Sequence, residues 1–470
     1  MTSTPGRVSD AVFAELAAGG GGAEALRALR AFQRWRTRLL VRGVVEEAKA
    51  AGHQHADLAS HAYDLLEELE TRAKDAIDAV LGYPAAGAWA WRAYQALAGD
   101  TRSDRADLGR LGALALASAI RAGVACEIRV PLSGGTLMLP SLGEITLPGG
   151  AGGGTADITV RPDGEDTEVR LGRSAVRVNP SGDGTGWRAL GRFPVTEGFG
   201  PALDDLDPYR WPVDRDVAPR LTAGQRRTWG ECLGAAWRIL AAGHRTVADE
   251  VASAVTVLVP LRSVDFGQNS ASARESFGAV ALSEPRSGLG LAATFAHEIQ
   301  HVKLTALIDM VDLTVPDDGR RYYAPWRPDP RPASGLLQGA YAFMGVADFW
   351  RRRLGRETGA TAFRARVETV RWREGAYLVT GTLLRSGCLT ERGEEFVAGM
   401  RRTLEAMLGE PADLASAAQA HREAEWHRDT WNRRNAGRAG VAPAAGSCRP
   451  PGRSGQVSGG SKSQSTRRPS

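Results

Sequence analysis

The segment LGLAATFAHEIQHVKLTALIDMV, residues 289–311, decides how the chain is read. After Gly290 it has no glycine or proline until Pro316, so it reads as one uninterrupted helix. Phe295, Ile299, Val302 and Ala306 recur at helical spacing on one side, and Leu304, Ile308 and Val311 on another. A helix that is apolar on two sides is expected in the interior. Within it His297, Glu298 and His301 spell H-E-x-x-H. Histidines four apart project from one face and can meet a single metal ion. Glu298 sits about 100° round the axis, close enough to act beside that ion.

H-E-x-x-H is first a zinc-peptidase pattern, with the glutamate as general base. The third ligand decides between chemistries. The extended form with glycine and a third histidine is not present, because those positions are Leu304 and Leu307. A later helical glutamate is also missing: the first one after His301 is Glu357, and position 321 is arginine. Asp309 and Asp312, read as part of the same helix, would lie roughly 12 and 16 Å along its axis, too far to share the ion. The carboxylate that stands out is Asp348 in GLLQGAYAFMGVADFW, an apolar helical segment whose few polar side chains are Gln338, Tyr341 and Asp348. Asp348 is a candidate metal ligand. Its alternative is an ion pair with Arg351 or Arg352 at helical spacing.

Working outward, residues 23 to about 82 read as helical, followed by AWAWRAYQALAG and a helix around 105–122. From Cys126 to about Pro194 short β-rich runs (CEIRVPL, TLMLP, EITLP, ADITVRP, TEVRLG, SAVRVNP) alternate with Gly, Pro, Asp and Ser. Helix returns at TAGQRRTWGECLGAAWRILAAG, and SAVTVLVPL and FGAVALS read as buried strands. The expected organisation is a helical region 1–124, a β-rich subdomain 125–210, a mainly helical metal-binding region 211–435, and a disordered basic tail 436–470. The fold class is therefore α+β and mainly helical, with the metal motif on a buried helix.

Composition removes several function classes. The formal charge of +5 resides in the tail, where Arg438, Arg449, Arg453, Lys462, Arg467 and Arg468 face no acidic residue; without those six charges the rest carries −1. Nothing in that balance calls for a nucleic-acid partner. The four cysteines are far apart, without a CxxC pair, which fits a reducing cytoplasm. The start lacks a basic segment followed by an apolar one, and LGALALASAI is too short to span a bilayer, so neither a secretory signal nor a membrane partner is expected. His53, His55 and His61 read as a polar loop, and His421 and His427, six apart, as parts of a solvated helix.

Two blocks together, LAATFAHEIQHVKLTALIDMV and RRYYAPWRPDPRPASGLLQGAYAFMGVADFWRRR, resemble the HExxH-motif family associated with ribosomally made, modified peptides. That family is described as iron-using, 2-oxoglutarate-dependent peptide β-hydroxylases. The resemblance covers about 270–355, including FGAVALSEP. It implies an Fe(II)/2-oxoglutarate oxygenase that hydroxylates a precursor peptide at a β-carbon, in some pathways beside a radical-SAM maturase. Some relatives are fused to such an enzyme; this chain has no CxxxCxxC motif and looks like the stand-alone form. His297, His301 and Asp348 would hold the metal. Glu298 would be a weak ligand or an orienting group rather than a base. The distal carboxylate of 2-oxoglutarate calls for a guanidinium, and Arg327 and Arg331 in the proline-rich loop are the candidates. Tyr322, Tyr323 and Trp326 would line a peptide groove or simply pack. The alternatives are a zinc metallopeptidase and a non-catalytic peptide-binding scaffold.

Overall fold

The computed structural model describes residues 7–99, 106–132, 135–146, 154–196, 198–212, 217–262, 269–437 and 440. Most of the tail expected to be disordered lies outside the described residues. Helices account for 57% and strands for 16%, so the chain is α+β and mainly helical. No helix among the described residues is long and apolar enough to cross a membrane.

Six helices come first: α1 (Asp10–Ala17), α2 (Gly22–Ala50), α3 (Ala56–Arg72), α4 (Lys74–Leu81), α5 (Pro84–Ala98) and α6 (Gly109–Ala122). The short α1 was not legible; its start is set by Ser9, whose hydroxyl accepts from the Val12 N–H. The β-rich runs form β1 (Cys126–Leu132), β2 (Thr136–Leu139), β3 (Gly143–Thr146), β4 (Gly154–Asp163), β5 (Asp166–Leu171), β6 (Ser174–Val178), β7 (Trp187–Ala189), β8 (Gly191–Arg192) and β9 (Ala202–Leu203). An antiparallel sheet β1-β4-β5-β6 packs on α6, and β2-β3-β7 forms a second. Both follow from alternating side chains, as in β1, where Ile128, Val130 and Leu132 point inward and Glu127 and Arg129 outward.

After these come α7 (Ala223–Gly243), α8 (Arg245–Ala254), β10 (Val257–Pro260), β11 (Ser270–Ala271), β12 (Ala279–Leu282), the motif helix α9 (Gly288–Ile308), α10 (Ala333–Arg353), α11 (Gly359–Ser386), α12 (Glu391–Leu408) and α13 (Leu414–Asn435). The apolar runs VLVP and AVAL are fully buried parallel strands at the centre of the mixed sheet β11-β12-β10-β9-β8. The largest core gathers Phe13, Leu16, Leu26 and Leu29 from the N-terminal helices with Phe295, Ile299, Leu336 and Tyr341 from α9 and α10. The first thirty residues thus share a core with the motif helix.

The motif helix is capped by the Ser287 hydroxyl, which accepts from the Gly290 N–H at 3.1 Å. It stops at Ile308, a turn earlier than its apolar pattern implied, with Asp309 as C-cap. Asp309 is drawn out by Gln33 Nε2 at 2.9 Å and Arg274 Nε at 2.7 Å. Asp312 therefore lies beyond the helix rather than on it. Opposite the histidines, Lys303 is completely buried and ion-paired with Glu250 at 2.8 Å. Its ammonium also donates to the carbonyls of Gly19 (2.9 Å) and Gly20 (3.1 Å), while Gln300 Nε2 reaches Gly19 O at 3.1 Å. Glu250 takes the Gly22 N–H on its other oxygen at 3.1 Å. On α10, a Cβ at Gly345 would lie 2.7 Å from the Ala296 carbonyl, so glycine there allows α9 and α10 their close approach.

A second buried group marks the α7–α8 junction. His244 is 2% exposed and stacks on Phe349 at 4.5 Å, and neither ring nitrogen has a hydrogen-bond partner among the described residues. Burial, reinforced by the Arg353 guanidinium, lowers its pKa to about 4.

Two outcomes follow. Lys303→Met leaves Glu250 buried and unpaired and should lower the unfolding free energy in urea by about 3–5 kcal/mol; the Lys303→Met/Glu250→Gln pair should cost less than the sum of the single variants. For His244, the unfolded chain takes up a proton near pH 6.5 that the folded chain refuses until about pH 4. Stability should therefore fall as pH drops through that window, by up to about 3 kcal/mol. His244→Phe should flatten that part of the profile, and an unchanged slope between pH 7 and 4 would refute the assignment.

Candidate metal centre

His297 and His301 project from one face of α9, both half-buried. Their Nε2 atoms face each other at 3.2 Å and their rings meet edge to face with centroids 4.8 Å apart. An ion about 2.1 Å from each nitrogen would subtend about 100°, within the range of tetrahedral and cis-octahedral geometries. Burial, with His301 adding to it, lowers the His297 pKa to about 3, so its ring is neutral and able to ligate at neutral pH. Behind His301, Nδ1 contacts Gln338 Oε1 at 3.0 Å, and Gln338 Nε2 donates to Thr305 Oγ1 at 3.3 Å.

Aromatic rings stand beside His297. Phe343 on α10 stands edge-on to His297 with ring centroids 5.0 Å apart. Trp326 stacks on Phe343 at 5.0 Å, and Trp372 of α11 leans on it at 4.2 Å. Trp326 lies flat against α10 because residue 339 is glycine: a Cβ there would fall 2.4 Å from the indole. The loop carrying Trp326 is closed at its base by paired Tyr322 and Arg331 backbones, with N–H to O distances of 2.8 and 3.0 Å. It is also pinned to α13 by Tyr323, whose hydroxyl meets His427 Nδ1 at 3.0 Å and whose ring meets Trp431. His427, expected on a solvated helix, is thus half-buried against this loop, whereas His421 pairs with Glu374 near the surface.

Glu298 is buried and held by β11. It is 1% exposed, and its Oε1 accepts from the Ser270 hydroxyl of β11 at 2.7 Å. Its Oε2 is buried with no hydrogen-bond partner among the described residues, and burial raises the carboxyl pKa. Asp348 is not brought to the histidines. One of its oxygens accepts from Arg351 Nη2 at 2.6 Å and the other from Arg352 Nε at 2.7 Å, the helical pairing that was its alternative. No group of three His, Cys, Asp or Glu side chains arranged to hold a metal ion occurs among the described residues. The protein donors found there for a metal are therefore the two imidazoles.

Arg327 and Arg331 share Asp329: Arg327 Nε reaches it at 2.9 Å and Arg331 Nη1 at 3.3 Å. They differ in one respect. Arg327 is exposed, while Arg331 packs against Gly335 at the start of α10 and its Nε is buried with no partner among the described residues. Gln338, Phe343 and Trp372 were not assigned roles from sequence. The available signal for Gln338 was a polar side chain on an otherwise apolar helix.

No protein-family model and no curated protein matches the chain. The likeness to the HExxH-motif hydroxylases thus stands on the two quoted blocks.

Removing either imidazole should abolish specific metal binding. His297→Ala and His301→Ala are each expected to weaken Co(II) binding by more than about 100-fold, read by competition with a chromogenic chelator. Asp348→Asn should leave that affinity within about twofold, being held elsewhere, and cost about 1 kcal/mol of stability.

Proposed function

We propose that the chain is an Fe(II)- and 2-oxoglutarate-dependent hydroxylase acting on a ribosomally made precursor peptide. The observation that carries this reading is the burial of Glu298 against the Ser270 hydroxyl. A peptidase base must reach the water it activates. Glu298 is instead buried and tied to Ser270. An oxygenase needs no such base.

Two further features support the reading. His297 and His301 would hold the iron, and when bound it would supply oxidation of an unactivated C–H bond coupled to decarboxylation of 2-oxoglutarate. Arg331, with a buried N–H lacking a partner among the described residues, is the better placed of the two arginines to receive an anionic group. The wall of Phe343, Trp326 and Trp372 offers an apolar surface against which a peptide side chain can rest while water is excluded.

The reading places the peptide against α10, α11 and the loop 320–332, in the cytoplasm, with a radical-SAM maturase of the same pathway as a second partner.

The test is direct. Protein loaded anaerobically with Fe(II) and then given 2-oxoglutarate and air should release succinate, and His297→Ala should not. Glu298→Gln should keep the rate within about tenfold, because the amide retains an acceptor for Ser270. A general base would lose about 10²- to 10⁴-fold on that change. Zinc-loaded protein that cleaves a mixed peptide library, with cleavage lost in Glu298→Gln, would contradict the reading in favour of a metallopeptidase.

A further inference from the structure

We propose that Gln338 is a positioning residue: its Oε1 holds His301 in the form that leaves Nε2 bare for a metal ion. The proposal rests on the reading of His297 and His301 as a metal-binding pair and adds to it the group that makes one of them competent.

A neutral imidazole carries one N–H, on Nδ1 or on Nε2. An amide oxygen can only accept, so the 3.0 Å contact between Gln338 Oε1 and His301 Nδ1 puts the proton on Nδ1. In this orientation the other end of the amide, Gln338 Nε2, donates to Thr305 Oγ1 at 3.3 Å. Thr305 lies four residues beyond His301 on α9, so Gln338 bridges successive turns of the motif helix. A reversed amide would present N–H groups to Nδ1, force the imidazole proton onto Nε2 and close that nitrogen to a metal. Gln338 is held firmly enough for this role, because its neighbours Leu336, Leu337, Gly339 and Ala340 are all buried. Trp326 covers the adjacent Gly339.

The same geometry dictates the partner ring. With Nε2 of His301 bare, the 3.2 Å contact between the two Nε2 atoms requires His297 to donate, so metal-free His297 carries its proton on Nε2. Metal binding then moves the His297 proton to Nδ1 and leaves His301 unchanged. One ring is preset, and the other switches.

Gln338 is also uncharged. A carboxylate behind a metal-bound histidine raises its donor strength, and loss of such a partner typically costs 10- to 100-fold in metal affinity. A glutamate at position 338 would keep the acceptor and add charge.

The test uses full-length protein, with Co(II) as the probe and ¹⁵N-labelled histidine for NMR. Metal-free wild type should show His301 protonated on Nδ1 and His297 on Nε2. Gln338→Met should bind Co(II) about 10- to 100-fold more weakly, with an altered visible spectrum. Gln338→Glu should bind at least as tightly as wild type, and Thr305→Val should fall between wild type and Gln338→Met. Gln338→Met that binds Co(II) as wild type does, or His301 protonated on Nε2 in the metal-free protein, would overturn the proposal. The NMR measurement needs no variant, so it decides even if Gln338→Met does not fold. If His297→Ala binds Co(II) as tightly as wild type, the metal pair itself is wrong, and the role of Gln338 falls with it. That failure is distinct from a normal pair that ignores Gln338.

Discussion

The structure depends on how one helix is held about its own axis. Lys303 follows His301 by two residues and so projects about 200° round α9, away from that histidine. There its ammonium is completely buried between Glu250 and the carbonyls of Gly19 and Gly20. A buried ammonium is tolerable only when its donors are satisfied and its charge is balanced. Few rotations of α9 meet both conditions. The N-terminal turn at Gly19–Gly22, α8 through Glu250, and α10 through the Tyr341 hydroxyl on Leu16 O (2.6 Å) all converge on this one arrangement. Fixing Lys303 on that side fixes His297 and His301 on the other, where Phe343 meets His297 and Trp326 and Trp372 pack on Phe343.

Much of this was legible where the pattern is local. The absence of helix breakers after Gly290 and the two apolar stripes placed α9 in the interior, and the six short runs after Cys126 are β1 to β6. Asp348 with Arg351 and Arg352 at i+3 and i+4 displayed its ion pairs in the sequence itself. What the sequence hid is long-range. Lys303 meets Gly19 across 284 positions, and His301 meets Gln338 across 37. No periodicity reports such contacts. The residual signal is chemical: a lysine in an apolar stripe and a glutamine in an apolar helix both need partners, and their presence marks places where the fold must supply them. The end of α9 was misjudged for a related reason, since Asp309 is claimed by Gln33 and Arg274 from distant segments.

The site that results divides its tasks between two sides of one helix. The half-buried His297 ring stands beside Phe343. Glu298 is buried and tied to Ser270. The arrangement brings two nitrogen donors together, with their Nε2 atoms 3.2 Å apart. The proline-rich loop adds the covering Trp326 and the half-buried Arg331, anchored by backbone pairing at its base and by Tyr323 on α13.

The central claim is that His297 and His301 jointly hold one metal ion through their Nε2 atoms. Anomalous diffraction from crystals grown with Fe(II) or Co(II), recorded on both sides of the metal's absorption edge, tests it most directly. The account expects a single peak bonded to both Nε2 atoms, with Glu298 still on Ser270. A peak bonded to only one of these histidines, a peak elsewhere in the molecule, or Glu298 swung onto the ion's water would contradict it.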